Sequence, residues 1–305
     1  MLVVDRIARS FGNVSAVRDV SFTVERGSVF GLLGPNGAGK TTTMRTILGI
    51  YAPDAGRITW DGAPIDLGVR RRFGYLPEER GLYGKMKVRE QIVYFGRLHG
   101  VPAAVATRRA GAWRDALGIA GYADRPCGEL SKGNQQKVQL ACAVVHEPEL
   151  LVLDEPFSGL DPVNAETMLA CLRDLAARGT TLVLSSHQMF QIEHACRAFC
   201  IVAAGAVRAN GTLAELRATF PTRTLRVSPD VPAIRAVFAS AGAGEPSFDE
   251  DAGELLYELP RETDFGALLR AAVAAGPLQT FERREPTLSA IYLRAIGGAV
   301  PEDRR

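Results

Sequence analysis

The sequence predicts an α/β protein with a largely parallel core sheet, followed by a smaller α+β unit. Three observations carry that expectation. Short apolar runs alternate with helical stretches over the first 220 residues, the pattern of strand–helix–strand units around a parallel sheet. A glycine-rich turn, Gly34 to Thr41, stands between one such run and the next helix. After Phe220 the composition changes: residues 221–305 hold no lysine, and their ten arginines face thirteen acids, so this part is about −3.

The elements follow in order. Val29–Leu33 is a short buried-type strand before the glycine-rich turn, and 42–49 reads as the helix after it. The runs 150–153 and 181–185 read as further buried strands, each behind a helical pattern. Val- and Thr-rich runs with turn signals between residues 5 and 61 suggest an antiparallel edge near the N-terminus. Past a link at 220–222 the tail reads as strand 224–228, helix 231–242, strand 255–259, helix 264–276, strand 278–283 and helix 288–296. The expected domains are therefore 1–220 and 221–305.

Composition excludes several classes of function. Lys plus Arg is 36 against 34 for Asp plus Glu, a formal charge of +2, so no global field favours nucleic acid. No apolar run approaches the ~20 residues that a membrane-spanning helix needs, and the charged start MLVVDRIARSFG does not read as a signal peptide. The expectation is a protein that stays in the cytoplasm. Cys127, Cys142, Cys171, Cys196 and Cys200 form no CxxC and no Cys/His cluster. They read as reduced thiols buried as small apolar side chains.

Gly34-Pro35-Asn36-Gly37-Ala38-Gly39-Lys40-Thr41 matches GxxxxGK[ST] in the setting that its mechanism needs. The glycines let the backbone N–H groups wrap phosphate oxygens, and the following helix N-terminus adds partial positive charge. Gly34, Asn36, Gly37, Gly39, Lys40, Thr41 and Thr42 are the expected phosphate-binding residues. Lys40 would reach the β- and γ-phosphates, and the Thr41 hydroxyl would help to hold Mg²⁺. The apolar strand LLVL ends in Asp154-Glu155. Successive strand side chains point to opposite faces, so the two acids can differ in role. Asp154 is expected at the metal, and Glu155 as the base that takes a proton from water.

Leu130-Ser131-Lys132-Gly133-Asn134-Gln135-Gln136, about twenty residues before the acidic strand, opens a helix over 135–145. It resembles the signature motif of ABC ATPases, usually written LSGGQ. Four further matches follow in that family's order. Ser158-Gly159-Leu160-Asp161 looks like the D-loop, and His187 after LVLSS looks like the switch histidine. Phe11 stands where an aromatic residue stacks on adenine, and Tyr75-Leu76-Pro77-Glu78 stands where the Q-loop should be. The resemblance covers about residues 1–220. The stretch FGYLPEERGLYGKM and the ending EPTLSAIYL further resemble ATPase subunits of bacterial type-2 ABC exporters, many of which carry a C-terminal extension of this size.

The resemblance implies a P-loop NTPase fold of ABC type, with a mixed sheet core, an antiparallel N-terminal β subdomain and a helical subdomain. It implies ATP and Mg²⁺ as ligands, and Glu155 and His187 as the catalytic pair. It also implies Ser131, Gly133 and Asp161 as residues that meet the nucleotide of a second copy, hence a homodimer with two composite sites. A separate membrane permease would dock around 88–114 and hold the chain at the inner face of the cell membrane. No nucleic acid is expected as partner. Two departures stand out: Lys132 and Asn134 replace the Gly and Gln of the common signature, and Glu78 replaces Gln, adding a charge and losing an amide donor. Glu78 either acts as the Q-loop residue with altered electrostatics, facing both nucleotide and metal, or serves only the interface to a partner; the first reading is preferred. Two other readings keep the same chemistry. An importer subunit would change only the partner. A translation- or DNA-associated ABC ATPase would ordinarily carry two cassettes or a long coiled coil, and neither is present here.

Overall fold

The continuous apolar runs form the centre of the fold because each is covered on both faces. The computed structural model describes residues 1–79, 81–186, 189–249 and 254–297. Two compact units result, Met1–Gly211 and Thr212 onward.

In chain order the first unit comprises β1 (Leu2–Phe11), β2 (Val14–Val24), β3 (Val29–Leu33), α1 (Lys40–Ile47), β4 (Ala55–Trp60), β5 (Ala63–Pro64), α2 (Leu67–Arg70) and β6 (Phe73–Leu76). There follow α3 (Val88–Leu98), α4 (Ala103–Ala116), α5 (Lys132–Val144), β7 (Leu150–Leu153), α6 (Pro162–Ala177), β8 (Thr181–Ser185), α7 (Met189–Glu193), β9 (Ala198–Ala203) and β10 (Ala206–Thr212). One ten-stranded sheet runs β5-β4-β1-β2-β10-β9-β3-β8-β7-β6. The strands β9, β3, β8, β7 and β6 are mutually parallel, and every residue of β3, β7 and β8 is buried. This is the burial expected of strands covered on both faces. The expected antiparallel edge is formed by β2, β1, β4 and β5. β1 and β2 are joined by the two-residue turn Gly12-Asn13, with Gly12 at φ +56°.

Parallel order puts the C-terminal ends of β3, β6, β7 and β8 along one edge, so the segments leaving them meet there. Helices α3, α4 and α5 pack on one another. Gly96 makes this possible: a Cβ on it would stand 3.2 Å from Ala106 Cβ and 3.3 Å from Val145 Cγ1. All five cysteines are free and buried. No helix among the described residues is long and apolar enough to cross a membrane.

The second unit comprises α8 (Leu213–Ala218), β11 (Thr222–Ser228), α9 (Pro232–Ser240), β12 (Ser247–Asp249), β13 (Glu254–Pro260), α10 (Phe265–Ala275), β14 (Thr280–Arg284) and α11 (Leu288–Ala295). Its four strands are antiparallel in the order β12-β13-β11-β14. With α9 and α10 between strands, this is the split βαβ arrangement βαββαβ. Leu225, Val227, Leu255, Tyr257 and Leu259 from the sheet share one core with Ile234, Phe238, Leu268 and Ala272 from α9 and α10. The unit begins ahead of the link expected at 220–222. Its first helix is α8, closed by a capping box between Thr212 and Glu215 and in contact with α11.

Phe238 is fully buried and meets Tyr257 edge-on at 4.7 Å between ring centroids. Phe238→Ala is expected to destabilise the second unit by about 3–5 kcal/mol. Amide exchange in the full chain measures this: protection should fall in β11 and β13 and stay unchanged in β3, β7 and β8.

Candidate functional site

β3 delivers the chain to the glycine-rich loop, and two glycines are required there by close approach. A Cβ on Gly34 would lie 2.2 Å from the Val202 carbonyl oxygen, and one on Gly39 would lie 2.4 Å from that of Ala16. Gly39 also has φ +101°, in the left-handed region that side chains avoid. Gly39 precedes α1 directly, so the helix starts at Lys40 and not at the expected residue 42. No side chain caps it, which leaves the first-turn amides for a ligand.

Lys40 is buried and donates from Nζ to the carbonyls of Gly34 at 2.6 Å and Pro35 at 3.1 Å. Burial pulls its pKa below the usual lysine value, while the nearby carboxylates of Glu155, Asp154 and Glu78 oppose that shift.

The carboxylate of Asp154 joins the loop to the sheet. Thr41 Oγ1 donates to its Oδ2 at 2.8 Å, and Ser185 Oγ donates to its Oδ1 at 2.6 Å. The Asp154 amide donates to the Leu76 carbonyl at 2.8 Å. Ser185 Oγ in turn accepts the Glu155 amide at 3.0 Å. Glu155 is buried and adopts φ +50°, a left-handed backbone that is uncommon for a residue with a side chain. A hydroxyl and a carboxylate in contact form a hard-oxygen donor set of the kind that suits Mg²⁺, and the loop amides with Lys40 suit phosphate oxygens. The residues present therefore fit both groups.

These parts line one cleft of about 740 Å³. Its walls are residues 36–42, Glu78, Asp154 and Glu155, with Val14, Ser15, Ala16 and Arg18 of β2 and the Ala204-Gly205 turn opposite. Asn36, Gly37, Gly39, Lys40, Thr41, Thr42, Glu78, Asp154 and Glu155 are thus brought together, while Gly34 does not line the cleft and meets it only through its carbonyl, which accepts from Lys40. Ser185, Arg18 and the β2 wall were not anticipated. The only sequence signal for Ser185 is its place at the end of an apolar strand.

Other expected residues lie off this cleft. Ser131 is the exposed N-cap of α5, accepting the Asn134 amide at 3.4 Å. The helix therefore starts at Lys132, ahead of the expected 135. Asp161 caps α6 in the same way, accepting the Asn164 amide at 2.9 Å. Gly133 is buried against Leu160 and Asn164, where a Cβ would stand 3.4 and 3.6 Å from their side chains. Phe11 is 41% exposed and packs edge-on against Tyr51, with the Arg9 guanidinium 5.0 Å from its ring centre. His187 lies outside the described residues.

Comparisons with known proteins point to one family. Residues 17–158 match the family described as ABC transporter. Residues 211–296 match the family described as ATP-binding protein DrrA1-3-like, C-terminal domain. The Bacillus subtilis (strain 168) protein named uncharacterized ABC transporter ATP-binding protein YhaQ is 39% identical over 97% of this chain and 99% of its own length. The Nod factor export ATP-binding protein I of Ralstonia nicotianae is 33% identical over 97% of this chain and 94% of its own. A solved structure described as the ATP binding subunit of an ABC transporter superposes with a TM-score of 0.68 at 33% identity, covering 72% of this chain and 93% of its own.

The buried Lys40 generates a pH prediction. Its folded-state pKa is lowered below 10.5, so between the lowered value and 10.5 the unfolded chain binds more protons than the native one. Native stability then rises with pH across that window. Lys40→Met lacks this dependence, so the Tm of the wild type minus that of the variant should increase as pH is raised towards 10.5. A difference that stays flat or shrinks would contradict the buried-cation assignment.

Proposed function

The chain belongs to the ABC transporter ATP-binding proteins, and on that premise we propose that it binds and hydrolyses ATP to power export through a separate membrane permease. The observation that carries this reading is the hydrogen-bonded set Thr41–Asp154–Ser185, of which Thr41 and Asp154 line one cleft with Lys40 and Glu155. ATP is the substrate. Its phosphates are held by the amides at the start of α1 and by Lys40, whose charge the surrounding acids favour. Thr41 and Asp154, with Glu78 nearby, would hold Mg²⁺, which neutralises charge on the phosphate oxygens. Glu155 takes the proton of the attacking water. Phe11 would offer its exposed ring to adenine, and His187, outside the described residues, is assigned to the γ-phosphate on the family resemblance alone.

Ser131 and Gly133 stand off the cleft of their own chain, at the N-terminus of α5. This supports a two-fold dimer in which each copy presents its signature helix to the ATP held by the other. Asp161 lies beside Gly133 through Asn164 and joins the same contact. Nucleotide binding closes the dimer, and hydrolysis releases it. Tyr83 and Tyr94 are exposed and packed edge-on, with Leu98 exposed on the same helix as Tyr94. Aromatic surface of this kind, within 83–98, suits the docking of a permease helix. Through that partner the chain sits at the inner face of the cell membrane. Export is favoured over import because the Ralstonia relative that matches the chain over most of its length is named for export.

Glu155→Gln is expected to keep ATP binding and to reduce turnover by about a hundredfold or more, and size-exclusion chromatography with ATP should show a stable dimer. Turnover at the wild-type rate would remove Glu155 as the base. Lys40→Ala should weaken ATP binding by about a hundredfold, the usual penalty for removing one partner of a buried charge pair; equilibrium titration with a fluorescent nucleotide measures it. Stimulation of the ATPase by a co-purifying protein with several membrane spans would support the permease, and its absence would favour a non-transport role.

A further inference from the structure

The segment after β6 carries Glu78 into the phosphate cleft, and its two ends are fixed. Before it, the Leu76 carbonyl accepts the Asp154 amide at 2.8 Å. After it, the Tyr83 amide donates to Oε1 of the buried Gln91 at 3.0 Å. The middle is held by Gln139. Its Nε2 donates to the Pro77 carbonyl at 2.8 Å and to the Glu79 carbonyl at 3.3 Å, on either side of Glu78. Gln139 is buried, and its Oε1 has no hydrogen-bond partner. Both hydrogen bonds that the side chain makes to this segment come from its amide donor. Gln139 lies on α5 eight residues, just over two turns, past its N-cap Ser131. The helix that presents the signature residues thereby grips the backbone that presents Glu78.

We propose that Gln139 is a positioning residue for Glu78: by bracketing Pro77 and Glu79 it makes the place of the Glu78 carboxylate in the cleft depend on the signature helix. This rests on the ATP-hydrolysis reading. Glu78 and Lys40 line the same cleft, so the place of the carboxylate bears on the groups that face the phosphates. A shift of α5 during dimer closure moves the bracket and with it the carboxylate.

Gln139→Met keeps the side-chain length and removes the donor. Without nucleotide, amide exchange at Glu78 and Glu79 should accelerate about tenfold while β7 and β8 stay protected. Unchanged exchange overturns the proposal. In the ATPase assay the variant should lose about tenfold in kcat with KM for ATP within about twofold. In a Glu78→Ala background the same substitution should cause no further loss, because coupled residues are non-additive. An equal loss in both backgrounds, or none in either, overturns the proposal. Gln139→Glu sets an acceptor against the two carbonyls and should lose at least as much as Met. A wild type without ATPase activity, together with faster exchange in Gln139→Met, would overturn the hydrolysis reading and leave the bracket standing.

Discussion

The carboxylate of Asp154 is the constraint on which the rest of the site depends. It is almost fully buried, and each of its oxygens is taken by a hydroxyl from a different element, Thr41 on α1 and Ser185 at the end of β8. Its own amide is tied to Leu76 at the end of β6. A buried carboxylate is tolerated only when its acceptor capacity is used. The four segments that leave β3, β6, β7 and β8 therefore have one arrangement that satisfies it. The parallel sheet makes this arrangement accessible, because parallel strands bring their C-terminal ends to one edge. Glu155 inherits its place from the same hub: its amide is held by Ser185, and its left-handed backbone turns the chain immediately after the strand.

The same segment organises the signature region. Gln136 on α5 donates to the Pro156 carbonyl at 3.1 Å, one residue past Glu155. Gly133 sits against Leu160 and Asn164, and Asp161 caps α6 through the Asn164 amide. The starts of α5 and α6 are thus registered on each other and on the end of β7. Each begins with a polar N-cap, and a helix N-terminus attracts anions. Within one chain these ends stand off the phosphate cleft. In the proposed dimer a second copy would bring its helix ends to this cleft.

Much of this was legible in the residues. The glycine-rich loop was readable as the phosphate-binding candidate because its spacing, its lysine and its setting between strand and helix serve that chemistry together. The fully apolar runs of β3, β7 and β8 had to be central strands. The tail was readable as α+β from its alternating patterns, although β12, three residues long, gives too short a pattern to detect. Helix α8 was legible too, since Thr212 and Glu215 have capping-box spacing and Leu213–Ala218 are strong helix formers, but its place in the second unit comes from its contact with α11.

By itself the sequence determined which groups are available: one phosphate loop, one acidic strand end, one signature helix. It determined them because those chemistries need particular residues at fixed short spacings. What only the tertiary structure decided are the partnerships between distant segments. Ser185 became part of the site because β8 lies between β3 and β7. Gln139 became the clasp on the Glu78 segment because α5 runs beside it. Phe11 packed against Tyr51 because β1 ends beside the turn that follows α1. Such contacts arise from strand order and helix packing, and neither is written in local spacing.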